Sequence, residues 1–164
     1  MSLFSTDSAR PLGSGLQSPA GSVIDFELQA MLAGYKRRVA GSYRAIQQDE
    51  LLAVTPPGPL KVSPKIDGEL WFMVLDEKDA FLASPKGRVI SGDVPVLREA
   101  KKFSERARGR TILAGELFAV RGGKGGGRPR VGDLAAALGR EAKASVDRVA
   151  FAAFDSLLGG DADA

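Results

Sequence analysis

The chain has 164 residues, 44% of them hydrophobic and 26% charged, with a net charge of +3 and a pI near 9.3. That is the balance of a globular protein with room for one domain plus a tail. It contains no cysteine and no histidine, which excludes disulfides, thiolate and imidazole metal sites, cysteine nucleophiles and Ser-His-Asp catalysis. No apolar stretch approaches the roughly 20 residues that span a bilayer, and the start lacks the basic and apolar regions of a secretory signal. A cytoplasmic protein is therefore expected, with a mild lean toward polyanionic partners. The side chains left for an active site suit lysine covalent catalysis and phosphate chemistry.

Residues 1–21 are rich in Ser, Gly and Pro, too poor in apolar surface to offset ordering entropy, and are expected to form a flexible tail. A helix is expected after Ser22, on a stripe of Val23, Phe26, Ala30 and Leu32, with Lys36, Arg37 and Arg38 favouring its C-terminal end. Tyr43 to Leu52 reads as a short helix or irregular chain, which Pro56-Pro57-Gly58-Pro59 ends. Strand character begins at Leu60-Lys61-Val62. Glu69 to Leu75 reads as a buried strand, pairing through a polar turn (Asp76 to Asp79) with Ala80 to Ala83. Val94 to Arg108 has helical spacing. Thr111 to Val120 is a strand, 122–130 a glycine-rich basic loop, Val131 to Ala144 a helix, and Arg148 to Leu157 a last strand. Residues 159–164 read as linker. This order implies an α+β fold with mainly antiparallel sheet.

Three segments carry chemistry. Lys65-Ile66-Asp67-Gly68 places a lysine before a buried strand, on a turn where glycine admits unusual backbone angles; taken alone, a plain surface turn explains it better. Gly115-Glu116-Leu117-Phe118 sets a carboxylate in an apolar strand, costly unless it faces a cleft, a partner or solvent. Phe151 to Leu157 ends a strand with Phe154 beside Asp155, either core aromatics with a capping acid or a binding face. Lys124, Arg128 and Arg130, among glycines, either cradle a phosphate backbone or form a solvated loop.

In this order and at these separations the segments resemble the nucleophile motif, the third motif and the phenylalanine-aspartate strand of ATP-dependent DNA and RNA ligases and mRNA-capping guanylyltransferases. The resemblance covers residues 60–158. It implies a partial nucleotidyltransferase (ATP-grasp-like) adenylation domain over 22–158, binding ATP and magnesium. Lys65 would attack the α-phosphorus, release pyrophosphate and carry AMP, which requires the neutral amine. Asp67 would orient the amine or help hold the metal. Gly68 would border the nucleotide, Glu116 would accept the ribose hydroxyls, and Phe154 would stack on the base. Residues three apart on a strand point oppositely unless it bulges, which leaves Phe151 in the core.

The chain departs from the family at Leu70, where arginine is common, and at Ser84-Pro85-Lys86-Gly87-Arg88, where Lys86 or Arg88 would supply the phosphate contact. The later phosphate-gripping lysines are not found, so the chain resembles the first half of an adenylation domain, whether a truncated gene or one part of a split protein, with little ligation expected. DNA is the expected nucleic-acid partner ahead of RNA. The alternatives are an RNA ligase, a guanylyltransferase, or a non-catalytic nucleic-acid-binding or interaction module.

Overall fold

Strand formation begins nearer the N-terminus than the composition implies. The computed structural model describes residues 2–40, 42–60, 62–76, 79–104, 109–122, 127–139 and 146–159. In chain order these form β1 (Arg10–Leu12), β2 (Ser14–Ser18), α1 (Phe26–Ala40), α2 (Leu51–Val54), β3 (Glu69–Asp76), β4 (Asp79–Ala83), β5 (Val89–Asp93), α3 (Pro95–Ser104), β6 (Thr111–Ala119), α4 (Val131–Ala137), a 3-10 turn (Val146–Arg148) and β7 (Val149–Leu158). The strands make one antiparallel sheet in the order β1-β2-β5-β4-β3-β6-β7. The expected α+β class with a mainly antiparallel sheet is what the chain adopts.

Both faces of the central strands are covered, which is why Trp71 to Leu75 is an unbroken apolar run, no residue of which is more than 4% exposed. Alternation sends Trp71, Met73 and Leu75 to one core, with Leu97 and Ala100 of α3 and Leu134 and Ala137 of α4. Phe72 and Val74 go to the other, under Leu28, Leu32 and Tyr35 of α1. Sheet and helices thus form three layers.

Several expectations are corrected. Residues 2–21 include two paired strands, where a flexible tail was expected. β2 pairs with β5 along its whole length, Leu12 is buried, and Arg10 donates to the Leu138 carbonyl at 2.6 Å. Backbone pairing and one apolar anchor hold this arm. Close approach helps too, since a side chain on Gly15 would overlap Val94 and the Ser91 carbonyl. β5 went unforeseen because it carries only two apolar residues before Ser91-Gly92-Asp93.

The α1 stripe is Leu28, Leu32 and Tyr35, with Phe26 84% exposed; Asp25 caps its start, accepting from the Leu28 amide at 2.8 Å. Leu60 and Val62 belong to no strand and are exposed, while Lys61 lies outside the described residues. α3 ends at Ser104 and α4 at Ala137; the rest of the expected α4, from 140 on, also lies outside them. No helix among the described residues is long and apolar enough to cross a membrane.

Candidate active site

β3 and β6 lie side by side, with Leu70 opposite Glu116 and Glu69 opposite Leu117. Gly68 enters β3 tight against this pairing. A Cβ there would overlap the Leu117 carbonyl oxygen and lie 3.2 Å from Glu116 Oε2. Gly68 is not among the glycines with positive φ, so glycine is needed for close approach and not for an unusual turn angle. That approach sets Lys65-Ile66-Asp67 beside the Glu116 carboxylate.

Lys65 Nζ donates to Asp67 Oδ1 at 3.1 Å, with side chains 81% and 46% exposed. This bond, then the charges of Lys65 and Arg128, hold the Asp67 carboxyl below its ordinary range. Glu116 behaves oppositely: burial pushes its carboxyl up, the Lys65 charge and the Gly68 amide partly offset this, and Asp67 and Glu69 add to it. Its Oε2 is buried without a hydrogen-bond partner among the described residues. A buried carboxylate oxygen lacking a donor fits a ligand hydroxyl group.

The described residues include no group of three acidic side chains able to hold a metal. Asp67 offers one carboxylate, and magnesium is commonly held by one or two carboxylates together with substrate phosphates.

Arg88, at the start of β5, forms an ion pair with Glu69 and lies 4.9 Å from the centre of the Trp71 ring. Trp71 Nε1 donates to the same Glu69 oxygen at 3.2 Å. Glu69 and Trp71 were not foreseen as site residues; an acid and an indole two apart at a strand entrance, beside a candidate nucleophile, are the signal that could have marked them. Across the site, Arg128 Nη2 donates to the Lys65 carbonyl at 2.8 Å. Lys65 and Arg128, with Pro64, Ile66, Phe118 and Pro129, line an open cleft of about 570 Å³.

β7 is bulged: Ala153 pairs with Gly115 and Asp155 with Ala114, leaving Phe154 as the extra residue. Ala152 lies opposite Glu116, and Phe154, two residues further along, is 51% exposed. Phe151 points the other way, onto Gly115 and the first core, as expected. Asp155 accepts from Tyr35 at 2.8 Å, tying α1 to β7. Burial, then this bond, raises the Tyr35 hydroxyl well above its ordinary range.

Not every candidate converges. Lys86 is exposed on a turn whose backbone pairs with Gly21, and its ammonium has no partner among the described residues. Arg130 opens α4, where its amide donates to Asp133 at 3.0 Å; this is half of a capping box, since guanidinium has no acceptor to return the bond. Lys124 lies outside the described residues. The structure therefore brings together Lys65, Asp67, Gly68, Glu116 and Arg128, with Phe154 on the adjoining β7; Arg88, just before β5, reaches Glu69 on the sheet face opposite to Glu116. Compared with known proteins, the chain matches no family model, no curated protein and no solved structure.

Proposed function

We propose that the chain is a ligase-type nucleotidyltransferase domain in which Lys65 accepts AMP from ATP. The observation that carries this reading is the apposition of Lys65, Asp67 and Gly68 to the desolvated Glu116, whose buried oxygen lacks a donor. In the reaction, the neutral Lys65 amine attacks the α-phosphorus. The N–P bond forms as the bond to the bridging oxygen of the β-phosphate breaks, and pyrophosphate leaves. Asp67, 3.1 Å from Nζ, accepts the proton that the amine sheds. Glu116 receives the ribose hydroxyls, and Phe154, two residues along β7 from the position opposite Glu116, offers its ring to the base. Magnesium would neutralise phosphate charge, with Asp67 the protein carboxylate nearest to hand. DNA ends as eventual AMP acceptors, ahead of RNA, are supported by the motif resemblance and by the cation Arg128 beside Lys65.

The test is covalent labelling. With magnesium and α-labelled ATP, label that survives denaturation and vanishes in K65A supports the reading; no label at any pH overturns self-adenylation. Labelled GTP in a parallel arm separates the guanylyltransferase alternative. The 81% exposure of Lys65 favours a second reading, nucleotide binding without transfer. Trp71, the one tryptophan of the chain, lies under Arg88 and reports on it: an emission change with ATP but no covalent label would select that reading.

A further inference from the structure

Arg128 is 63 residues from Lys65 in sequence, yet it makes a close contact with that residue's main chain. Strand pairing starts only at Glu69. Among the described residues, no backbone–backbone hydrogen bond ties residues 62–68 to the rest of the fold. Two contacts hold this segment down: Gly68 packed against Leu117 and Glu116 at one end, and the 2.8 Å bond from Arg128 to the Lys65 carbonyl at the other. The guanidinium uses one of its five N–H donors there. Its charge also reaches Asp67, the partner of the Lys65 amine, and its stem lines the cleft with Pro64, Phe118 and Pro129.

We infer that Arg128 is a positioning residue for the nucleophile, bracing the Lys65 main chain so that its amine stays beside Asp67 and Glu116. The inference rests on the reading of Lys65 as AMP acceptor. A guanidinium suits the task because one donor can hold the carbonyl while others face an anion in the cleft. An ammonium supplies the charge without that fixed fork. The brace acts on geometry before chemistry, so it should move the rate of transfer more than the affinity for nucleotide.

The experiment compares the full chain with R128A, R128K and R130A, whose parent residue makes no bond to Lys65. The first readout is cleavage of the Lys65–Ile66 bond under native conditions by a protease that cuts after lysine; R128K adds no readily cut bond, because Pro129 follows. The second is the single-turnover rate of labelling from α-labelled ATP, resolved into its maximal rate and the ATP concentration giving half of it. Loss of a charge-assisted bond should raise cleavage in R128A, and lower the maximal labelling rate, by about tenfold or more, with the half-saturating ATP concentration changed less. R128K should recover part of each, and R130A should match the wild type.

Wild-type cleavage and labelling in R128A, or equal damage in R130A, would overturn the brace. A wild type that takes no label while R128A still exposes the bond would sink the AMP-acceptor reading and keep the brace. A labelled wild type with R128A unchanged in both readouts does the reverse. An unaltered unfolding midpoint separates bracing from a general loss of fold, and R128Q replaces R128A if the latter does not fold.

Discussion

Glu116 is the residue at which stability and binding oppose one another. Burial raises its carboxyl above the ordinary value of 4.5, so the folded chain holds that proton more tightly than the unfolded chain. Stability from this group is fully present below the ordinary value and is lost as pH rises through the raised one. E116Q removes that step. Its unfolding temperature at neutral pH should exceed the wild type's, with a flatter profile above pH 4.5 in thermal melts. The same substitution should weaken nucleotide binding by about tenfold, since an amide accepts ribose hydroxyls less well than a carboxylate. An identical pH profile in E116Q would show that burial does not penalise the charge.

Residue-level legibility followed a simple rule. Glu116 could be singled out because a charge inside an apolar strand is visible in the sequence, and Lys65 and Asp67 only through its company. Gly68 was singled out for the wrong reason: the sequence suggests a turn angle, whereas the need is contact with the Leu117 carbonyl, on a strand distant in sequence. Arg88 could be noticed, but its stacking on Trp71 could not, because that requires knowing that β5 lies beside β4 and near the start of β3.

Among the elements, the long ones were the readable ones. β3, β6 and β7 carry runs of apolar residues that periodicity detects, and α1 and α3 were placed, α1 with exposed Phe26 in its expected stripe. The β1–β2 arm was invisible because backbone pairing and small residues hold it, neither of which leaves a hydrophobic pattern. L12A tests the arm directly. Leu12 is 2% exposed, so truncation should cost about 2–4 kcal/mol in denaturant unfolding. A flexible tail would give a value near zero. Y35F tests the tie between α1 and β7: losing the bond to Asp155 should cost about 1 kcal/mol, with no change in the face Tyr35 packs against Phe72.

At the scale of the whole molecule, β7 ends the sheet order and is long and apolar, with Asp155 its one charged residue. Such an edge is a template for pairing with another strand. Beside it an open groove of about 470 Å³ runs between the sheet and α3, lined by Met73, Phe103, Leu113, Phe151 and Ala153 among others. Self-association that grows with concentration is the expected behaviour. A153K, which puts a charge on the exposed edge, should shift light-scattering mass toward the monomer while leaving the unfolding midpoint within about 0.5 kcal/mol. A mass that stays monomeric at all concentrations in the wild type would remove the premise.

The β3–β6 pairing also sets a timetable. Glu69 meets Leu117 and Leu70 meets Glu116, so Lys65 and the Glu116 carboxylate cannot meet until a loop of nearly fifty residues has closed. Contacts of that separation slow folding. During synthesis, a ribosome must have released β6 before the site exists at all. Until then Lys65 is an ordinary surface amine on a nascent chain, and nucleotide can protect only molecules that have completed the central pair of strands.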